Sequence, residues 1–318
     1  MMRYNKLIIT IFLQIDSLSC CIPMLDANST NSCPINSQST PNDDPSPRAI
    51  QLAISHRLRL FLGSMDPGSY SMSELYNHFV QKYSYTSKER AEIEQMTRQQ
   101  ASSPDWHHLR NGRMTASEMH RIGSRLTTLK KDPTADPGAL LRSLTTSSDL
   151  SHIPAIQWGI KHEPKARKRY FLVEKRRHRS LTIGESGLCI SPVNPLFACS
   201  PDGIVHCKCK TSHGSRGNRW IVEIKCPAKG KDMPAREAAM KFCGVTPENA
   251  LDPKHKYFTQ IQCQLGVLGL QMCDLIVFTK KGLHVTEVKA DDQVFNEITQ
   301  KTVELGEQFL FGHLLTLV

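Results

Sequence analysis

Residues 200–227 read SPDGIVHCKCKTSHGSRGNRWIVEIKCP, which is a turn, a basic insert and a strand. The turn carries Asp202, and the strand carries Glu223 and Lys225. Because successive side chains of a strand alternate between its faces, Glu223 and Lys225 project to one side while the apolar residues beside them point into a core. We therefore expect two carboxylates and one ammonium group to converge.

Oxygen donors of this kind suit Mg²⁺, which takes one or two carboxylates, keeps several waters and binds phosphate oxygens. Such an ion polarises a phosphoryl group and lowers the pKa of a bound water, and Lys225 would orient that water or stabilise transition-state charge. A Glu-x-Lys pair is also common on exposed strand edges. The Pro-Asp-Gly turn before it and its apolar neighbours favour the catalytic interpretation, phosphodiester hydrolysis.

Composition sets the outer limits of the interpretation. The 318 residues are 39% hydrophobic, enough for a buried core in one large domain or two modest ones. A formal net charge of +10 favours a polyanionic partner, with nucleic acid as the leading candidate. The odd number of cysteines, 11, speaks against a secreted disulfide framework and for a reducing compartment.

The N-terminal region is expected to be a poorly structured tail and linker over residues 1–48. The apolar run Leu7 to Ile15 resembles a signal peptide, but Gln14 and Asp16 interrupt that pattern and the run is too short to span a bilayer. Residues 28–47 are rich in Ser, Asn, Thr and Pro and read as a linker. We expect an intracellular protein, nuclear if eukaryotic, with no membrane partner.

Residues 49–103 predict a helical lead-in to a domain at 104–318. Apolar residues recur at helical spacing from Ala49 to Leu62, and capping-box patterns begin helices at Ser71 and Thr86. The alternative is two independent domains, in which residues 28–103 fold alone.

The segment from Trp106 to Glu118 predicts a phosphate site. Thr115 and Glu118 have capping-box spacing, so we expect a helix to begin there with Arg110 and Arg113 just before its electropositive end and Ser117 in its first turn. The alternative is a surface turn with two solvated arginines.

The next segments are less decisive. Residues 130–148 read as a loop, and a helix beginning at Trp158 carries Glu163 on its apolar side, as a third metal ligand or in a salt bridge with an arginine. The basic run 175–179 is typical of a solvated helix end. Cys207 and Cys209 have the wrong spacing for a zinc knuckle and predict a hairpin tip with incidental thiols, flanked by basic residues that would contact DNA: Lys208, Lys210, Arg216 and Arg219.

A helix from Tyr257 to Leu270 places Tyr257, Gln260 and Gln264 on one face, and glutamine near Lys225 indicates hydrogen bonding to water or phosphate. Residues 273–279 and 283–288 predict a hairpin, and residues 291–310 a closing helix. The fold class is thus α/β, with a central mixed β-sheet flanked by helices.

Five ordered segments between Lys88 and Lys289 resemble the YqaJ-like viral recombinase family, the lambda-exonuclease-like branch of the PD-(D/E)XK nucleases, which have a restriction-endonuclease-like core. The segments are Trp106…Arg110…Arg113-Met-Thr-Ala-Ser117, Trp158-Gly…Glu163, Ser-Pro-Asp202-Gly, Glu223-Ile-Lys225-Cys-Pro and Tyr257…Gln260-x-Gln262.

The resemblance implies roles for these residues. Glu163, Asp202, Glu223 and the backbone carbonyl of Ile224 would bind Mg²⁺, with Mn²⁺ as a substitute, and Lys225 would position the attacking water. Arg110 and Ser117 match phosphate-binding positions, and Tyr257 and Gln260 match the active-site helix. The resemblance implies a DNA exonuclease of recombination or repair that acts on duplex ends, and ring-shaped trimers as in lambda-type enzymes. The alternative is a DNA-binding scaffold that has lost catalysis.

Overall fold

The computed structural model describes residues 44–146, 152–178, 180–209 and 218–318. The apolar run at Leu7 to Ile15, most of the predicted linker, and the insert residues Lys210 and Arg216 lie outside the described residues. In the described ranges no helix has both the length and the apolar character needed to cross a bilayer.

The helices agree with most of the predicted segments. They are α1 (Pro47–Leu52), α2 (Ile54–Leu62), α3 (Met72–Lys82), α4 (Ser87–Met96), α5 (Pro104–Arg110), α6 (Met119–Lys131), α7 (Gly138–Thr145), α8 (Pro154–Glu174), α9 (Ala235–Phe242), α10 (Lys256–Leu268), α11 (Asp292–Leu305) and α12 (Phe311–Leu315).

Local chemistry explains where several of these helices begin. At the start of α3 and of α4 the predicted capping boxes form, with Ser71 and Glu74, and Thr86 and Glu89, bonding each other's backbone amides. Such caps supply partners for amides that the first turn of a helix leaves unbonded. Both capping-box predictions are therefore confirmed.

The strands form two sheets. They are β1 (Met114–Thr115), β2 (Leu181–Gly184), β3 (Cys189–Ile190), β4 (Phe197–Cys199), β5 (Gly203–Cys207), β6 (Arg219–Lys225), β7 (Met272–Thr279) and β8 (Gly282–Lys289). The larger sheet has the order β2-β5-β6-β7-β8, in which only β6 and β7 pair in parallel. A small sheet has the order β1-β4-β3.

Helices cover both faces of the larger sheet. On one face Ala166 and Tyr170 of α8 pack against Val222 and Ile276. On the other face, α9 and α10 pack against β6 and β7. The predicted α/β class, a mixed sheet flanked by helices, is confirmed.

A third hydrophobic cluster joins the two ends of the described chain. The N-terminal helices contribute Phe61 and Phe79, whose rings lie against Phe311 of α12, with centroids 6.0 and 5.3 Å from it. The same cluster contains Leu196 and Phe197 of the small-sheet region. The helical lead-in thus shares its core with the C-terminal helices.

The closing helix predicted at residues 291–310 is confirmed, since α11 continues without a break through a π-helical turn at Gly306–Leu310. Two other sequence expectations are wrong. Residues 130–148 contain a helix, α7, because Leu140, Leu141 and Leu144 form a buried face. The capping box at Thr115 does not form: Met114 and Thr115 pair with β4, and a short 3₁₀ turn, Ala116–Glu118, precedes α6.

Candidate active site

Asp202 is held at the start of β5 by its contact with the neighbouring strand. Its Oδ2 accepts a hydrogen bond of 2.6 Å from the backbone amide of Ile224. The antiparallel register that aligns Gly203 with Val222 brings these groups together. A Cβ at Gly203 would lie 3.1 Å from both Gly184 O and Val222 Cγ2, so a larger residue here would have to displace these neighbours by a few tenths of an ångström.

Glu223 and Lys225 project together from β6, as their alternation predicts. Lys225 Nζ donates a 2.6 Å hydrogen bond to Glu223 Oε1 and lies 4.7 Å from the ring centroid of Tyr257. Glu223 is only 1% exposed. A buried carboxylate needs several donors, and a cation over an aromatic face is a favourable contact.

The other donors to Glu223 come from one face of α10. Gln260 Nε2 donates to Oε1 at 2.6 Å, and Gln264 Nε2 donates to Oε2 at 2.7 Å. Gln262, between them, turns away and bonds the carbonyl of Lys289 and the amide of Asp291. The helix therefore uses two glutamines to fix one carboxylate and a third to fix its own position.

Glu163 forms the salt bridge that the sequence left open as an alternative. Its Oε1 lies 2.7 Å from Arg167 Nη2, which also donates to the backbone carbonyl of Asp202 at 2.7 Å. A second contact of Arg167 reaches Glu185 at 3.2 Å. Arg167 thus ties the helix carrying Glu163 to the Asp202 turn, and metal ligation by Glu163 stays a prediction.

The carboxylates are close enough to alter one another's ionisation. Burial, followed by repulsion from Glu223 and Glu163, raises the pKa of Asp202 well above its usual range. Burial also raises the pKa of Glu163. For Lys225, burial alone would lower the pKa, but the attraction of Glu223 and Asp202 outweighs burial and raises it. We call the group of Asp202, Glu223 and Glu163 the carboxylate pocket. When all three are ionised, they carry more negative charge than Lys225 and Arg167 offset.

A second group of polar side chains surrounds Arg110. Its guanidinium lies over the ring of Trp106, with Cζ 4.1 Å from the centroid, and Nη2 donates to Thr115 Oγ1 at 3.3 Å. The exposed Ser117 Oγ lies 3.2 Å from the same threonine oxygen. Arg110 is half-buried, and burial lowers its pKa to about 10, an effect that the charge of Glu118 offsets only in part.

Arg113 does not belong to this group, and its predicted phosphate contact is wrong. It is 1% exposed and lies inside the core. Its guanidinium donates to the carbonyls of Leu109 and Pro195 and to the hydroxyl of Tyr85. Phosphate has no access to a side chain enclosed in this way.

Trp106 links the arginine group to the carboxylate pocket. Its Nε1 donates to Ser200 Oγ at 3.1 Å, two residues before Asp202. The helix bearing Gln260 and Gln264 also packs against the 3₁₀ turn that contains Ser117. The two groups therefore border the same elements.

The family model of the YqaJ-like viral recombinase domain matches residues 105–271, more than half of the chain. The chain belongs to this family. The YqaJ-like match contains all the sequence-predicted site residues, from Arg110 to Gln260. No curated protein sequence matches the chain.

Solved structures similar to this YqaJ-like chain include several exonucleases. The exonuclease LHK-Exo of Laribacter hongkongensis, solved with dAMP, is 22% identical over 68% of this chain and 96% of its own, with a TM-score of 0.49. The shutoff and exonuclease protein of Kaposi's sarcoma-associated herpesvirus is 12% identical over 87% and 88%, at 0.45. A phage-related exonuclease from Haemophilus somnus is 13% identical over 65% and 96%, at 0.42.

Three contributors to the YqaJ-like site were not among the predicted site residues. Gln264 was placed on the correct helix face and expected to bond water or phosphate, whereas it donates to Glu223, the target it shares with Gln260 four residues before it. Arg167, one helical turn after Glu163, offered the same kind of signal. Trp106 had no local signal, because its partner Ser200 lies far along the sequence.

Proposed function

We propose that this YqaJ-like protein is a metal-dependent deoxyribonuclease that hydrolyses phosphodiester bonds at ends of double-stranded DNA. The observation that carries the proposal is the convergence of Asp202, Glu223 and Lys225 at the adjoining strands β5 and β6. Burial, followed by repulsion from Glu223 and Glu163, raises the pKa of Asp202 well above its usual range. Carboxylates that repel one another in this way are a donor set that a divalent cation stabilises.

These residues fit Mg²⁺ or Mn²⁺. Asp202, Glu223 and the carbonyl of Ile224 would hold the ion, with Glu163 as a further ligand if it leaves Arg167. When bound, the ion supplies Lewis acidity toward a phosphate oxygen and toward a water molecule. Gln260 and Gln264 keep Glu223 in one orientation, as partners of ligating carboxylates do in metal sites.

Lys225 acts as a cation in this proposal. Since its pKa is raised, it stays protonated at neutral pH and stabilises negative charge that develops on the phosphate or orients the attacking water. The ring of Tyr257, whose centroid lies 4.7 Å from Nζ, adds a favourable cation–π contact to this ammonium group.

Arg110 and Ser117 would bind a phosphate next to the cleaved bond. The guanidinium presents several donors in a fixed plane, and the stacking on Trp106 holds that plane in place. The net charge of +10 adds long-range attraction for DNA. An assembly of several copies around the DNA, such as a trimer, remains part of the proposal only by family resemblance.

The test is cleavage of end-labelled linear duplex DNA by the purified full chain, with and without Mg²⁺. We expect metal-dependent loss of nucleotides from the ends, and slower cleavage of a closed circular duplex. Binding of the duplex with no cleavage at any concentration of Mg²⁺ or Mn²⁺ would instead establish the DNA-binding scaffold.

A further inference from the structure

A cluster of three soft donors lies at the other end of strand β5 from Asp202. Cys207 Sγ is 3.4 Å from His178 Nδ1 and 2.8 Å from Cys209 Sγ. Among the described residues, this is the one set of three or more His, Cys, Asp or Glu side chains whose ligand atoms all lie within 4.8 Å of one another. The cluster joins the segment after α8 to the strand that carries the Asp202 turn.

We propose that His178 and the thiolates of Cys207 and Cys209 bind one zinc ion. Thiolate sulfur and imidazole nitrogen are the donors that Zn²⁺ prefers, and three protein ligands leave one position of a tetrahedral site for a water molecule or a further ligand. The site is separate from the proposed Mg²⁺ pocket, since five strand residues at about 3.3 Å each place Cys207 roughly 16 Å from Asp202.

A buried carboxylate orients the histidine for this role. His178 Nε2 lies 3.4 Å from Glu174 Oε2, and both side chains are only 7% exposed. An Nε2–H group that donates to Glu174 leaves the lone pair of Nδ1 facing the sulfurs. Metal-binding histidines commonly donate their second nitrogen to a carboxylate in this way.

The cysteine pair shows a second feature of metal thiolates. The backbone amide of Cys209 donates to Cys207 Sγ at 3.3 Å, which offsets part of a thiolate's negative charge. Two thiolates this close also repel each other unless a cation lies between them. A rotation of the Cys209 side chain would widen the sulfur separation to the ~3.8 Å that Zn–S bonds of about 2.3 Å require.

The expectation of incidental thiols rested on the one-residue spacing of Cys207 and Cys209 alone. The third donor comes from the basic run, where His178 is buried against Trp220 instead of solvated, with ring centroids 5.4 Å apart. A zinc ion here would fasten the segment after α8 to the end of β5, where the chain enters the basic insert.

The first experiment measures zinc bound to the full chain, purified under reducing conditions and dialysed against Zn²⁺-free buffer containing Mg²⁺. We expect one zinc per chain in the wild type, and loss of zinc in Cys209→Ala and His178→Ala. Cys243→Ala is the matched control, since it also removes one thiol but from a buried apolar cluster, and it should keep its zinc. Circular dichroism checks that each variant is folded.

The second experiment needs no variant to fold. Co²⁺ added to the reduced wild type should give thiolate-to-cobalt charge-transfer absorption and the ligand-field bands of a tetrahedral site, and Zn²⁺ should displace both.

Glu174→Gln should keep the site but weaken zinc binding about 10- to 100-fold, as loss of an orienting partner does.

Three results would overturn the proposal. One is a wild-type protein that shows no thiolate-to-cobalt absorption under reducing conditions. Another is a zinc content that Cys209→Ala and Cys243→Ala leave equally unchanged. A Cys207–Cys209 disulfide that persists in a reducing buffer, detected as resistance of both thiols to alkylation, would also exclude the site.

Discussion

The carboxylate pocket and the Arg110 group carry opposite unbalanced charges. In the pocket, the carboxylates of Asp202, Glu223 and Glu163 repel one another, and Lys225 and Arg167 do not fully offset their negative charge. In the Arg110 group, a guanidinium is held by a tryptophan ring and a threonine hydroxyl instead of a carboxylate. The difference indicates the missing partner of each region: a cation for the first and a phosphate for the second.

The largest effect should come from the pocket. Asp202→Asn removes the charge of a proposed ligand while keeping the side chain's shape, and cleavage should fall by about 10³-fold or more, since metal ions supply several kcal/mol of transition-state stabilisation. Duplex binding should change little. The measurement is single-turnover cleavage beside binding in Ca²⁺; a variant that loses binding and keeps cleavage would reverse the roles of the two regions.

Arg110→Ala tests the Arg110 group. Loss of a charge-assisted phosphate contact should weaken duplex binding by roughly 1.5–3 kcal/mol, about 10- to 150-fold. The slope of log affinity against log salt should become shallower by about 0.9 for the one phosphate lost. Mg²⁺ affinity should be unchanged, and cleavage of 5′-phosphorylated and 5′-hydroxyl ends, compared in the same assay, should become equal because the contact to a terminal phosphate is lost.

Arg113→Ala is the control for that experiment. It removes the donors to Pro195, Leu109 and Tyr85, so the free energy of unfolding should fall by roughly 2–4 kcal/mol. The salt slope of the folded protein should stay at the wild-type value. Equal salt slopes in the two variants would mean that Arg110 does not contact phosphate.

Gln264→Leu tests how Glu223 is held in position in the carboxylate pocket. Removing the donor to Glu223 Oε2 should lower Mg²⁺ affinity or cleavage about 10- to 100-fold, as expected for a residue that positions a ligand. Gln262→Leu is matched in chemistry and two residues away, but it should lower thermal stability and leave cleavage intact. Similar cleavage rates in both variants would contradict the assignment.

The pH dependence is the smallest effect and follows from the raised pKa of Asp202. Below that pKa the carboxyl is protonated and does not bind a cation, so Mg²⁺ affinity should increase as pH rises, by at most about tenfold per pH unit for one proton released. In a chelator the sign for stability is opposite, because a raised pKa gives stability that is lost as pH rises through it. Asp202→Asn should flatten both profiles, measured by calorimetric titration and thermal unfolding.

The sequence predicted which side chains of β6 and α10 face the carboxylate pocket, because their directions depend only on residues nearby in the sequence. Alternation places Glu223 and Lys225 on one side of β6, and a four-residue step places Gln260 and Gln264 on one face of α10. Helix starts at Ser71 and Thr86 were equally local. Such features depend on neighbours within about four residues.

The Arg110 group was predicted only in part, because the contacts that define it join residues far apart in the sequence. Arg110 and Arg113 look alike in sequence, and their difference is set by Tyr85 and Pro195, which enclose only the second. Thr115 has the spacing of a helix cap, but pairing of β1 with β4 removes it from that role. Contacts of this range are not encoded in residue spacing.

The position of Trp106 also gives the molecule an optical readout. The chain has 3 tryptophans, and Trp220 is fully buried. The indole of Trp106 touches the Arg110 guanidinium on its face and the Ser200 hydroxyl at its nitrogen. Its fluorescence therefore reports on both regions, and in a chain with phenylalanine at Trp158 and Trp220 it would follow the arrival of an oligonucleotide in real time without any attached label.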